Sequence, residues 1–385
     1  MREGGMPTFS AAEYSRRWAA VDELLERQRL DGLVVFGTAG SDPGAQYLSG
    51  WPTTREAWLV YRPTQPPTLF VQLYNHWPNA RRLSILDDVR WGGQSSPRAV
   101  AEQLRALGLQ RARIGLVGPM SFQHHGELWS ALPEASFVDV TPAIVRLRMI
   151  KSPEEIVWMR RGAELSDLGI AALVREARPG MTETELGAII EEAYIRAGGQ
   201  NYIHYLGVTP MAEPSLCVPG QRPSDRRLTA GDVLFVEISA HYWSYVGQIL
   251  RTFAVAADPP ALYQRLHATA EEAFDRIIAM LRDGGTAAEV VEAASVIEAA
   301  GFTVFDDLLH GFGGGYLPPV LRSRSSLHGP VPDFTLRTGM TIVVQPNVIT
   351  PDERAGVQVG ELVLITQTGV ERLHGFERGF LRIGG

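Results

Sequence analysis

The feature that most constrains this chain is a change of rhythm at Lys151. Up to about residue 145, short apolar runs alternate with amphipathic stretches of helical period. LVVF (Leu33 to Phe36), WLVY, TLFVQL and RIGLVG read as buried strands, and AVAEQLRAL as a helix between them. Ser10 and Glu13 form a capping box that opens a helix ending near Gly32. This alternation builds an α/β layer. At Ser152-Pro153-Glu154-Glu155 the pattern switches to a serine cap, a proline at the first helical position and a glutamate three residues on. A long helix is expected from there to about Glu176, where ARPG breaks it. Thr182 and Glu185 start another, ended by Gly198-Gly199. Two strands should follow, Val233 to Ala240 and Tyr245 to Ala254, with Ser239 to Ser244 around the turn. Helices at about Pro259 to Leu281 and Ala287 to Ala300 lead to late strands at Thr341 to Gln345 and Gly356 to Thr366. Gly311 to Arg337 is the longest stretch without a periodic pattern, and irregular segments of that length are usually functional or mobile.

A chain of 385 residues is longer than one hydrophobic core ordinarily serves, so the switch reads as a domain boundary: 1–147 and 148–385. The formal net charge of −7 comes without any block of like charge, which argues against nucleic acid or an anionic membrane as partner. No apolar run reaches membrane-spanning length. The opening MREGGMPTFS lacks the apolar core of a secretory leader. The single cysteine, Cys217, cannot form an intrachain disulfide, and a cytoplasmic setting is expected.

Several segments, in one order, resemble the "pita-bread" family of creatinase, prolidase and aminopeptidase P. They are RMIKSPEEIVWMRRGAELSD from Arg148, RPGMTETELGAIIEEA, GDVLFVEISAHYWSYVGQILRTF from Gly231, HGFGGG from His310, LRTGMTIVVQP and AGVQVGELVLITQTGVERL. DGLVVFGTAGSDPGAQYLSGW resembles the family's N-terminal domain. The resemblance implies an α+β pita-bread catalytic domain behind an N-terminal α/β creatinase-like domain, and a homodimer.

In prolidase-like members these segments carry two Asp, one His and two Glu that hold two divalent cations. The matching positions here are Glu237, Gln248, His310, Gln345 and Gly360, with Glu361 beside the last. A further family histidine is replaced by Leu317. Hard cations require anionic oxygen, and only Glu237 keeps a carboxylate in register. Strand alternation should point Glu361 to the other face from residue 360. No metal or other cofactor is therefore expected. The family has metal-free members, creatinase and ectoine hydrolase; the latter resembles this chain in its glutamate at the first position, whereas creatinase has an acidic residue where this chain has Leu250.

The residues then divide by role. Glu237 is expected as general base or nucleophile and His310 as proton shuttle; the plain alternatives are a structural carboxylate and a packed histidine. Gln248 and Gln345 keep hydrogen-bonding capacity without charge and suit substrate positioning. His204, Tyr316, Glu361, Trp51 and Arg55 are further candidate substrate contacts, the last two through a segment that, by resemblance, closes the partner subunit's pocket. His241 reads as an exposed turn residue, Arg322 and Arg324 as solvated, Arg251-Thr252 as structural. These residues imply metal-independent hydrolysis of a C–N bond (amidine, guanidino or cyclic amide) in a small polar substrate. The alternatives are a non-catalytic binding protein on a degenerate peptidase fold and an atypical Xaa-Pro metallopeptidase.

Overall fold

The computed structural model describes residues 6–42 and 44–385. The reading of the opening segment falls partly on residues 1–5, outside the described residues. The chain divides into two compact units, one ending at Arg148 and the other beginning at Met149.

In the first unit, β1 (Gly32–Thr38), β2 (Glu56–Tyr61), β3 (Thr68–Val71), β4 (Asp88–Trp91), β5 (Arg113–Val117) and β6 (Ser136–Asp139) form one sheet in the order β4-β3-β2-β1-β5-β6. β2 runs antiparallel to both neighbours, while β1–β5, β5–β6 and β3–β4 pair in parallel. Helices cover both faces. Leu33 and Val35 belong to one apolar core, Val34 and Phe36 to the other. This is why the strand reads as an unbroken apolar run instead of alternating.

The second unit is built on a sheet in the order β12-β11-β13-β15-β9-β8-β7. Its strands are β7 (Gln200–Pro210), β8 (Asp232–Tyr242), β9 (Tyr245–Val255), β11 (Leu309–Gly313), β12 (Gly315–Leu321), β13 (Thr341–Val344) and β15 (Gly360–Ile365); β10 (Thr303–Val304) and β14 (Val348–Ile349) pair separately. The helices Pro153–Glu176 and Glu183–Arg196 both start in complete capping boxes, at Ser152 and Thr182. Val236, Ile238, Ala240 and Ile249 pack against them, which fixes the covered face of the sheet. Gly162 lets the first helix lie directly on the β8–β9 turn: a Cβ there would stand 2.5 Å from the Tyr245 carbonyl oxygen. Ser166 Oγ stitches the two together, accepting from Ala240 N and donating to Gly247 O.

Three expectations are corrected. The turn between β8 and β9 is only Trp243-Ser244, both at positive φ, so Ser239 to Tyr242 continue the strand. The helix expected over Ala287 to Ala300 is two short ones, Ala287–Ala293 and Val296–Ala299. The irregular stretch from Gly311 begins as the β11–β12 hairpin. Pro318 and Pro319 hide β12 in the sequence, and an edge strand tolerates them because one side of its ladder needs no donors.

Candidate functional site

Register assembles the site. Glu237 pairs with Leu250, and Leu250 with Gly360. Gln248 pairs with Ser239, two residues beyond Glu237 and so on the same face. Val344 pairs with Glu361, which sets Gln345 beside Gly360; His310 pairs with Val343, in phase with Gln345. Glu237, Gln248, Gln345, Gly360 and His310 thus share the face turned away from the two capped helices.

Hydrogen bonds join three of them directly. Gln248 Nε2 donates to Glu237 Oε1 at 2.7 Å and to Gln345 Oε1 at 3.3 Å. Gln345 in turn lies within side-chain hydrogen-bonding reach of His310. One amide donating both protons to two acceptors fixes the orientation of Gln248. His310 Nδ1 lies 3.1 Å from the Gly311 carbonyl oxygen, which calls for a proton on Nδ1 and leaves the Nε2 lone pair free to accept. The imidazole is stacked on Tyr316 with ring centroids 4.3 Å apart.

Burial, with the negative charges of Asp306 and Asp307, pushes Glu237 up to about 8. Burial holds His310 down to about 4 against the opposing effects of Gly311, Asp306 and Gln345, so its imidazole is neutral near pH 7. A carboxyl near 8 and a neutral imidazole on the same face of the sheet are groups suited to proton transfer at neutral pH.

Two acids that sequence reasoning passed over belong here. Asp306 accepts from Asn347 Nδ2 at 3.0 Å and Asp307 from the Tyr316 hydroxyl at 3.1 Å. Burial raises both carboxyls above their ordinary value. Their signal was present: adjacent aspartates three and four residues before His310 in an otherwise apolar run.

Other candidates lie elsewhere. His204 is on the covered face: it pairs with Ile238, its Nδ1 stands 3.1 Å from Glu191 Oε1, and its Nε2 abuts Gly187. A β-bulge between Asn201 and Ile203 is the cause, because its extra residue gives the place beside Glu237 to Tyr205. Glu361 is not a substrate contact either. It is fully buried on the covered face, where Arg251 Nη2 donates to it at 2.9 Å and Arg372 binds it with two nitrogens. Trp51 is 3% exposed in the core of the first unit, which removes it as a substrate contact, whereas Arg55 is exposed on that unit. His241 is a half-buried strand residue and not an exposed one; its Nδ1 accepts from Ser244 N and burial lowers it to about 4. Cys217 is buried and its thiol is pushed up by that burial, the mark of an unreactive cysteine.

The donor set does not suit a pair of divalent cations. Glu237 Oε1 is capped by an amide N–H, and two positions are neutral amides. At Gly360 a Cβ would meet the Val344 carbonyl oxygen at 2.5 Å and Leu250 Cδ1 at 2.9 Å, so no ligand side chain fits. Among the described residues, no group of three or more His, Cys, Asp or Glu is disposed to hold a metal ion.

Against known proteins, residues 157–367 match the model of metallopeptidase family M24 and residues 17–150 that of the Creatinase/Prolidase N-terminal domain. An Xaa-Pro dipeptidase of Pyrococcus furiosus is 26% identical over 270 residues, 70% of this chain and 75% of its own. An uncharacterized hydrolase/peptidase of Sinorhizobium fredii is 26% identical over 96% of both chains. The solved Xaa-Pro dipeptidase from Bacillus anthracis superposes with a TM-score of 0.82 at 18% identity, covering 96% of this chain and all of its own, a likeness of fold. No helix among the described residues is long and apolar enough to cross a membrane.

Proposed function

The chain belongs to metallopeptidase family M24, with the pita-bread fold and a creatinase-like N-terminal domain, and from that premise we propose that it hydrolyses a C–N bond of a small polar substrate without the paired metal ions. The observation that carries this reading is the Glu237–Gln248–Gln345 chain, with His310 on the same face: amides occupy positions where metal-binding relatives place carboxylates, and hydrogen bonds tie them to Glu237. In its ionised form Glu237 takes a proton from water as the water oxygen adds to the substrate carbon. The same proton then passes to the departing nitrogen as the C–N bond breaks, with the free Nε2 of His310 as relay. Gln248 holds the carboxylate in place, and Gln345 orients substrate or water.

Glu237→Gln should abolish turnover of whichever amidine, guanidino compound or cyclic amide the wild type hydrolyses, while its thermal melt stays cooperative. Full activity in that variant removes Glu237 from the mechanism.

A second reading, an Xaa-Pro peptidase with unusual ligands, has its own support. Several relatives are Xaa-Pro dipeptidases, and on that comparison it is favoured over the non-peptide substrate. Cleavage of Gly-Pro that disappears with a chelator would establish it. A homodimer, with Arg55 near the partner's site, is part of the proposal; light scattering gives the subunit count.

A further inference from the structure

The site gathers negative charge that no basic side chain neutralises. Asp306 and Asp307 both raise the proton affinity of Glu237, and Asp307 that of Asp306, yet among the described residues none of the three pairs with a lysine or arginine. The exposed Arg322 acts on Asp307 through its field alone, and His310 is neutral near pH 7. The two aspartates are held in place by Asn347 and Tyr316, groups that orient a carboxylate without cancelling its charge. A second observation is independent of the acids. Ser239 is fully buried on the same face, two residues from Glu237 and opposite Gln248, and its hydroxyl has no hydrogen-bond partner. A buried hydroxyl aimed into a site and left unsatisfied is a group waiting for a polar ligand. The half-exposed Tyr316 ring adds an electron-rich face that attracts cations.

We propose that this site selects its substrate by a positive charge, taking an amidinium, guanidinium or protonated amine with Asp306 and Asp307 as its charge partners and Ser239 Oγ as a further hydrogen-bonding group. The proposal rests on reading this face as the substrate site. It adds what the hydrolase reading leaves open, the charge of the substrate. An organic cation brings its own N–H donors to acceptors that the protein leaves free, and charge-assisted hydrogen bonds in a partly desolvated site are strong ones.

Butylguanidine and butylurea test it, because they share a shape and differ in charge. In calorimetric titrations of the full chain near pH 7, butylguanidine should bind at least about tenfold more tightly than butylurea. Asp306→Asn and Asp307→Asn should each weaken butylguanidine by about threefold or more and leave butylurea unchanged. Equal or better binding of butylurea overturns the proposal, as does binding of neither probe at about 10 mM, or a preference that survives in both variants. The wild-type comparison stands even if a variant fails to fold. Binding without turnover keeps this proposal and sinks the hydrolase reading. Turnover lost in Glu237→Gln with no preference for the cation does the reverse.

Discussion

Two glutamates on opposite faces of one sheet meet opposite fates. Glu361 and Glu237 sit on strands joined through β9, one residue out of phase, the first fully buried and the second partly so. Burial alone would raise both carboxyls. At Glu361 the hydrogen bonds of Arg372 and the charge of Arg251 outweigh it and hold the group below its ordinary value. At Glu237 burial is reinforced by the negative charges of Asp306 and Asp307, which together push it up to about 8. The first is a carboxylate tied into the fold. The second holds its proton at a cost that folding alone does not require, which is how a site for chemistry differs from a structural ion pair.

The largest effect should come from the structural member. Glu361→Ala leaves Arg251 buried without its partner carboxylate, and unfolding in urea should show a loss of about 3–5 kcal/mol. A loss below about 1 kcal/mol would mean that the triad adds nothing to the fold.

Glu237 should behave in the opposite sense with pH. Its folded value lies above the ordinary 4.5, so the folded state keeps a proton that the unfolded chain releases. The stability this gives is fully present below about 4.5 and is lost as pH rises through about 8. Glu237→Gln is always neutral and should gain on the wild type across that window, by roughly 1–3 kcal/mol at pH 8. A constant difference between pH 5 and pH 8 would place Glu237 at an ordinary value. For Glu361 the sign reverses, and its contribution is lost on acidification.

The smallest effect belongs to His204. Because it faces Glu191 and the helix beneath, His204→Ala should change turnover by less than about threefold and stability by less than about 1 kcal/mol. A loss of activity on the scale of Glu237→Gln would put it back beside the substrate.

The same contrast explains what could be read from the sequence. The capping residues Ser152 and Thr182 act locally, so both helix starts were legible. The strand around Glu237 was legible because its apolar residues continue through Val236 and Ile238. The opposite face for Glu361 followed from alternation, but its two arginine partners did not, because Arg251 and Arg372 are brought to it by strand pairing across the sheet. His204 was misplaced by a single bulged residue, which reverses a face without leaving a pattern in composition. Asp306 and Asp307 were passed over because their meaning depends on Glu237, remote in sequence and close in space. The comparisons support the family and fold. Relatives that carry a substrate in their names include Xaa-Pro dipeptidases, whereas the function proposed above is hydrolysis of a non-peptide C–N bond.

Metal content decides between these most directly. Purified protein would be incubated with Mn, Co and Zn in turn, desalted and subjected to elemental analysis. An amide-capped carboxylate and a blocked position at Gly360 predict less than about a tenth of an ion per chain. About one or two ions per chain, retained through desalting, would contradict the account and make Xaa-Pro peptides the substrates to pursue.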